Sequence, residues 1–127
     1  MTKEEWINDY IGAFNRGDFA TFTAFYDEDV VLHLGGKRTI HGRQGIVDFY
    51  TDVFKRIEET LIVDQVVMDE TGLGGIVRTE FKAKEDWPDF IAGPIKRGES
   101  IHIESIVLYR IGANGKFTEI RSARSKG

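Results

Sequence analysis

The first fifty residues constrain the fold most. Thr2-x-x-Glu5 has the form of a capping box. Trp6, Ile7, Tyr10, Ile11 and Phe14 follow at helical spacing, and Gly17 suits the end of that helix. Asp18 is placed to cap a second, short helix carrying Phe19, Phe22 and Phe25. Val30 to Leu34 reads as a strand and Gly35-Gly36 as its turn. A third helix is expected over about 43–57, with a broad stripe of Ile46, Val47, Phe49, Tyr50, Val53, Phe54 and Ile57. This order points to helices laid over a curved sheet with a pocket between them.

Beyond residue 60 the apolar period changes to two. Strands are expected at 60–70, 76–84, 100–111 and 116–125, with turns at Thr71-Gly-Leu-Gly74 and Gly112-Ala-Asn-Gly115. In the second of these, Val77, Thr79, Phe81 and Ala83 alternate with Arg78, Glu80, Lys82 and Lys84. A loop holding Trp87, Phe90, Gly93 and Pro94 interrupts the series. Helices first and a mainly antiparallel or mixed sheet after them make an α+β domain. No linker, repeat or low-complexity segment divides residues 1–127, so a single domain is expected.

Composition narrows the partners. Nine Phe, four Tyr and two Trp supply a large core, or a core with a cavity in it. A net charge of −4 argues against nucleic acid, which favours a basic face. No apolar run approaches the roughly 20 residues that span a bilayer. The start, Met1-Thr-Lys-Glu-Glu-Trp6, is too polar for a signal peptide, and a cytoplasmic location is expected. Without Cys there is no disulfide, thiolate nucleophile or Cys-based zinc site, and the three His have no metal-ligand spacing. No metal or cofactor is expected.

Three pieces resemble the nuclear transport factor 2-like superfamily, and within it the SnoaL-like and ketosteroid-isomerase-like branch. They are Tyr10 to Asp18 with Asn15-x-Gly17-Asp18, Phe25-Tyr-Asp-Glu-Asp29-Val, and His41-Gly42-Arg43. Gly115-Lys116 before the last strand agrees. The resemblance covers nearly the whole chain. It implies a cone-shaped, strongly bent sheet wrapped around the N-terminal helices, often with an apolar ligand inside. Members include isomerases, dehydratases, epoxide hydrolases, polyketide cyclases and non-enzymatic binders, so fold alone does not fix function.

The family's reactive positions map unevenly onto this chain. Tyr10 stands where ketosteroid isomerases place an oxyanion donor. Their general base falls on Leu34, beside His33, and their second acid on Val107. The terminal carboxylate of limonene-epoxide-hydrolase-like and SnoaL-like members falls near Ser122. The Arg-x-Asp of the former falls near Glu80 and Lys82, where no such pair exists. Tyr10 and His33 are therefore the catalytic candidates, with Asp86 or Asp89 as a substitute base folding over the mouth. Strand alternation makes Leu34, Thr79, Phe81, Ser105, Val107, Tyr109 and Ser122 ligand-binding candidates, with Phe14, Tyr50 and Phe54 facing them from the helices and Trp87 and Phe90 closing the mouth. His33 falls on the opposite face from Leu32 and Leu34, so a bulge is needed to turn it inward. Such a lining suits a small apolar, oxygenated molecule. Two readings follow: a cofactor-independent isomerase, dehydratase or cyclase working by proton transfer, or a non-catalytic ligand-binding or protein-interaction module. Ile106 and Leu108 among charges on the outer sheet face predict a homodimer packed through the sheet.

Overall fold

The computed structural model describes residues 1–127. The N-terminal helix is built from α1 (Lys3–Glu5), a π-helical stretch (Trp6–Ile11) and α2 (Gly12–Arg16). Its start is the expected capping box: the Glu5 amide donates to Thr2 Oγ1 at 3.1 Å, and the Thr2 amide donates to Glu5 Oε1 at 3.2 Å. Its end is Gly17 at φ 69°, a left-handed conformation that glycine adopts without a Cβ penalty. Asp18 caps α3 (Phe19–Thr23) by accepting from the Thr21 amide.

Two features of the next segment differ from the sequence reading. Strand β1 spans Tyr26–Leu34, so the Asp27-Glu28-Asp29 run is strand rather than loop. Pairing with the last strand is irregular between Tyr26 and Val31, which leaves Glu28 and Asp29 exposed to solvent. After the turn at Gly35, the chain returns as a short strand β2 (Arg38–His41) paired antiparallel to β1. Four residues with no apolar alternation gave no period-two signal. Helix α4 (Arg43–Arg56) then crosses the sheet.

The remaining strands are β3 (Ile57–Met68), β4 (Gly72–Ala83), β5 (Ser100–Ile111) and β6 (Phe117–Lys126). The sheet order is β2-β1-β6-β5-β4-β3. All neighbours run antiparallel except β1 and β6, which are parallel, so the sheet is mixed. The N-terminal helix, α3 and α4 cover one face. Between helices and sheet lies an aromatic core in which Trp6, Phe22, Tyr26 and Phe117 are fully buried. Its rings meet mostly edge to face, such as Tyr10 on Phe117 at 5.1 Å and Phe14 on Tyr50 at 5.1 Å. Such pairs add about 0.5–1.5 kcal/mol each beyond area burial.

Candidate functional site

The aromatic core stops short of one end of the concave sheet face. There a cavity of about 430 Å³ opens between the sheet, α4 and the loop at Ile91-Ala92. Of the expected ligand-binding residues, Leu34, Tyr50, Thr79, Phe81, Ser105, Tyr109 and Ser122 line it. Register explains their convergence. Leu34 pairs with Ser122, and Thr79 lies on β4 two residues beyond Val77, the partner of Ser105. Residues of one parity on adjacent strands share a face.

The other candidates lie elsewhere. Tyr10 is buried behind Tyr109 in the aromatic core, its hydroxyl 2.8 Å from that of Tyr26 and 3.4 Å from that of Tyr109. His33 points to the outer sheet face, where Nε2 lies 3.0 Å from Glu119 Oε2. Arg110 and Arg121 join the same carboxylate, which is held below its ordinary pKa chiefly by the His33 hydrogen bond. No bulge turns His33 inward, because its pairing with Thr39 and Arg121 is regular. Val107 is packed within the main core. Phe90 is buried against Phe81 and Trp87. Phe14 and Phe54 meet at 5.2 Å and border a separate groove of about 340 Å³. Asp86 accepts from the Arg97 amide and so is tied into its own loop.

The carboxylate that the sequence reading did not single out is Glu59. It lies on the inward face of β3 with Ile57, Leu61 and Val63, and pairs across the sheet with Phe81. It lines the cavity and also borders the groove beside Phe14. It makes no hydrogen bond to another side chain and no ion pair, and burial in an apolar wall pushes its pKa up to about 8. The residue as a whole is half-buried, since the cavity beside it opens to solvent. A signal for it existed: Glu59 interrupts the alternation Ile57-x-x-x-Leu61-x-Val63. Ending the helix at about 57 and starting the strand at residue 60 leaves Glu59 in the connection between them and conceals that alternation.

Hydroxyls complete the wall. Tyr109 lies at the cavity with its pKa pushed up to about 12 by burial. Burial likewise raises Tyr50 and Tyr10, so all three are hydrogen-bond donors at neutral pH and not bases. Tyr10 can influence the cavity only through the Tyr109 hydroxyl. A second depression, about 500 Å³, lies on the outside of α4 between β2 and the Trp87–Ile91 loop. It carries His41, Asp48, Asp52 and Asp89, and the aromatic rings at its edges are already covered. Arg38 sits over Phe49 at 5.0 Å and Arg56 over Trp87 at 4.6 Å. The apolar, hydroxyl-bearing cavity is therefore the better small-molecule site. No helix is long and apolar enough to cross a membrane.

Comparison with known proteins agrees with this fold. Residues 7–120 match the family model of the SnoaL-like domain. No curated protein matches the sequence significantly. Among solved structures, a proposed polyketide cyclase from Pseudomonas putida KT2440 is 20% identical, with TM-score 0.82 over 98% of this chain and 92% of that one. A proposed SnoaL-like polyketide cyclase from Shewanella denitrificans OS-217 is 16% identical, with TM-score 0.79 over 96% and 89%. An LEH-like epoxide hydrolase from M. tuberculosis is 13% identical, with TM-score 0.75 over 94% and 79%. At these identities the likeness carries the fold alone.

Proposed function

We propose that this chain, which belongs to the SnoaL-like domain family, binds a small apolar, oxygenated molecule in its internal cavity and moves a proton on it without a cofactor. The observation that supports this is Glu59, a carboxyl group set into an apolar cavity wall beside tyrosine, serine and threonine hydroxyls. A pKa of about 8 poises it between acid and base at neutral pH, the range in which general acid–base catalysis works best. Tyr109 or Tyr50 donates a hydrogen bond to the substrate oxygen where charge develops. Proton removal beside a carbonyl then runs from carbon to the Glu59 carboxylate, leaving an enolate oxygen held by a tyrosine. The proton returns to another atom in an isomerisation. In a dehydration, the carboxylic acid protonates the leaving hydroxyl. A plain binding module has no need of an unpaired acid at this position, so the enzyme reading is favoured. Tyr10 has a supporting role behind Tyr109, and His33 has none in the chemistry.

The test uses 2-tetralone in D2O, with deuteration of its α-carbon followed by NMR. Exchange is expected above the buffer rate, rising with pH around 8, and falling about 100-fold or more in Glu59→Gln. Binding of the ketone without enhanced exchange supports the non-catalytic module instead.

A homodimer through the outer sheet face is also proposed. Val67, Ile106, Leu108 and Ile62 are 60%, 57%, 42% and 43% exposed. Gly74 pairs with both Val67 and Leu108, so these two side chains flank a position without one. Light scattering at micromolar concentration is expected to give a dimer mass, and Leu108→Arg a monomer mass.

A further inference from the structure

The cavity is electrically lopsided. Its ionisable groups other than tyrosines are Glu59 at one side and Lys37 and Arg124 at another. Lys37 lies in the β1–β2 turn and Arg124 near the end of β6. Glu59 is on β3, three strands from β6 in the sheet order. At about 4.8 Å per strand this is some 14 Å along the sheet, and less across its concave side. Neither cation takes part in an ion pair. Lys37 Nζ donates to the Ile91 carbonyl at 3.1 Å, and Arg124 Nη1 to the Ala92 carbonyl at 3.0 Å. Both thus hold the same short loop segment over the mouth while keeping further N–H donors. No acidic residue of that loop forms an ion pair with them: Asp86 accepts from the Arg97 amide, Glu99 accepts from the Lys96 amide, and Asp89 faces the outer depression. In a chain of net charge −4, two unneutralised cations at one cavity are informative.

We infer that the cavity selects apolar molecules bearing a carboxylate, which Lys37 and Arg124 hold at the mouth while the apolar body extends toward Glu59. This rests on the reading of the cavity as a small-molecule site and adds the substrate class. The guanidinium and ammonium supply several donors suited to a planar two-oxygen anion. The mouth is exposed, so the preference is sensitive to salt. A neutral Glu59 adds no repulsion of an anion inside the cavity near pH 7. The carboxylate positions the molecule and takes no part in the proton transfer.

The experiment compares 2-naphthoate with 2-naphthamide, two probes of nearly one shape, by calorimetric titration at pH 7. Naphthoate is expected to bind about tenfold more tightly in 50 mM NaCl, with the advantage shrinking in 500 mM. Lys37→Gln and Arg124→Gln retain a donor for the loop carbonyl and remove the charge. Each is expected to weaken naphthoate about fivefold and leave naphthamide within about twofold. Equal binding of the two probes, or a preference that survives both substitutions, overturns the carboxylate assignment and leaves the cavity reading standing. Ser122→Phe fills the cavity from β6 and is expected to abolish binding of both probes. Unchanged binding in that variant, or no binding of either probe to the native chain, overturns the cavity reading and this inference with it.

Discussion

The stability of Glu59→Gln relative to the native chain is expected to grow with pH. The native group has a folded pKa of about 8 against an ordinary value of 4.5. Below 4.5 the carboxyl is protonated in both folded and unfolded chains, so it contributes no pH dependence. Between 4.5 and 8 the unfolded chain releases the proton and the folded chain keeps it. The folded state then binds more protons, and stability falls as pH rises. One pH unit is worth about 1.4 kcal/mol, so the loss is about 3 kcal/mol at pH 7 and levels off near 5 kcal/mol above pH 8. Glutamine has no proton to release. The stability difference between Glu59→Gln and the native chain is thus expected to rise by about 3 kcal/mol from pH 4.5 to pH 7, and by about 2 more to pH 9. Urea unfolding at pH 5, 7 and 9 measures it, with Trp6 and the half-buried Trp87 as fluorescent reporters. Any fixed gain or loss from the amide's own contacts shifts all three differences equally, so the slope is the quantity that counts. Glu58→Gln, at the adjacent exposed position, serves as the control. Parallel curves for Glu59→Gln would show that the carboxyl ionises normally and would refute both its burial and its role as a poised acid.

Other changes separate packing from chemistry. Tyr109→Phe removes the cavity donor and is expected to slow ketone exchange about tenfold or more while leaving binding near native, read by NMR and calorimetry. Tyr10→Phe leaves the Tyr26 and Tyr109 hydroxyls without their shared partner; a loss of about 1–2 kcal/mol in urea unfolding is expected, with a smaller effect on exchange. Gly75→Ala is expected to cost about 2–3 kcal/mol by the same assay, since a Cβ there collides with the Gln65 carbonyl at the irregular β3–β4 pairing. Glu119→Gln removes a carboxylate whose pKa is lowered by His33 and its arginines; the stability it contributes is present above the ordinary Glu pKa and lost as pH falls through the lower folded value. Acid unfolding followed by circular dichroism is therefore expected to be flatter in that variant below the ordinary Glu value of 4.5.

The parts of the fold legible in the sequence are those written in local chemistry. Thr2 with Glu5, Gly17 and Asp18 each act where their capping chemistry places them. Alternation along β4 and β5 was sufficient to put Thr79, Phe81, Ser105 and Tyr109 at one cavity. What was not legible depended on boundaries and on long-range pairing. β2 exists because β1 offers it an edge, and its four residues carry no period of their own. The parallel pairing of β1 with β6 joins segments some ninety residues apart, and nothing local to either announces it. Val107 has the right parity for the cavity, yet the core closes over it. Parity gives a face, while the extent of packing along that face decides which positions meet a void.

Glu59 shows how narrow the margin is between a core position and a reactive one. Helix α4 gives way directly to β3 at Ile57, whose backbone is already extended at φ −132° and ψ 139°. Ile57, Leu61 and Val63 fix which parity turns inward, because a slip by one residue would expose all three. The carboxyl therefore does not choose its own orientation; its apolar neighbours carry it into the wall and hold it there against its hydration. The aromatic core ends just where this strand begins to line open space, so the group is desolvated on the protein side and still reaches the cavity. A leucine at the same position would extend the core and remove the destabilisation, at the loss of the one carboxyl group the cavity has. The cost in stability at neutral pH and the capacity to exchange a proton with a bound molecule have the same physical origin.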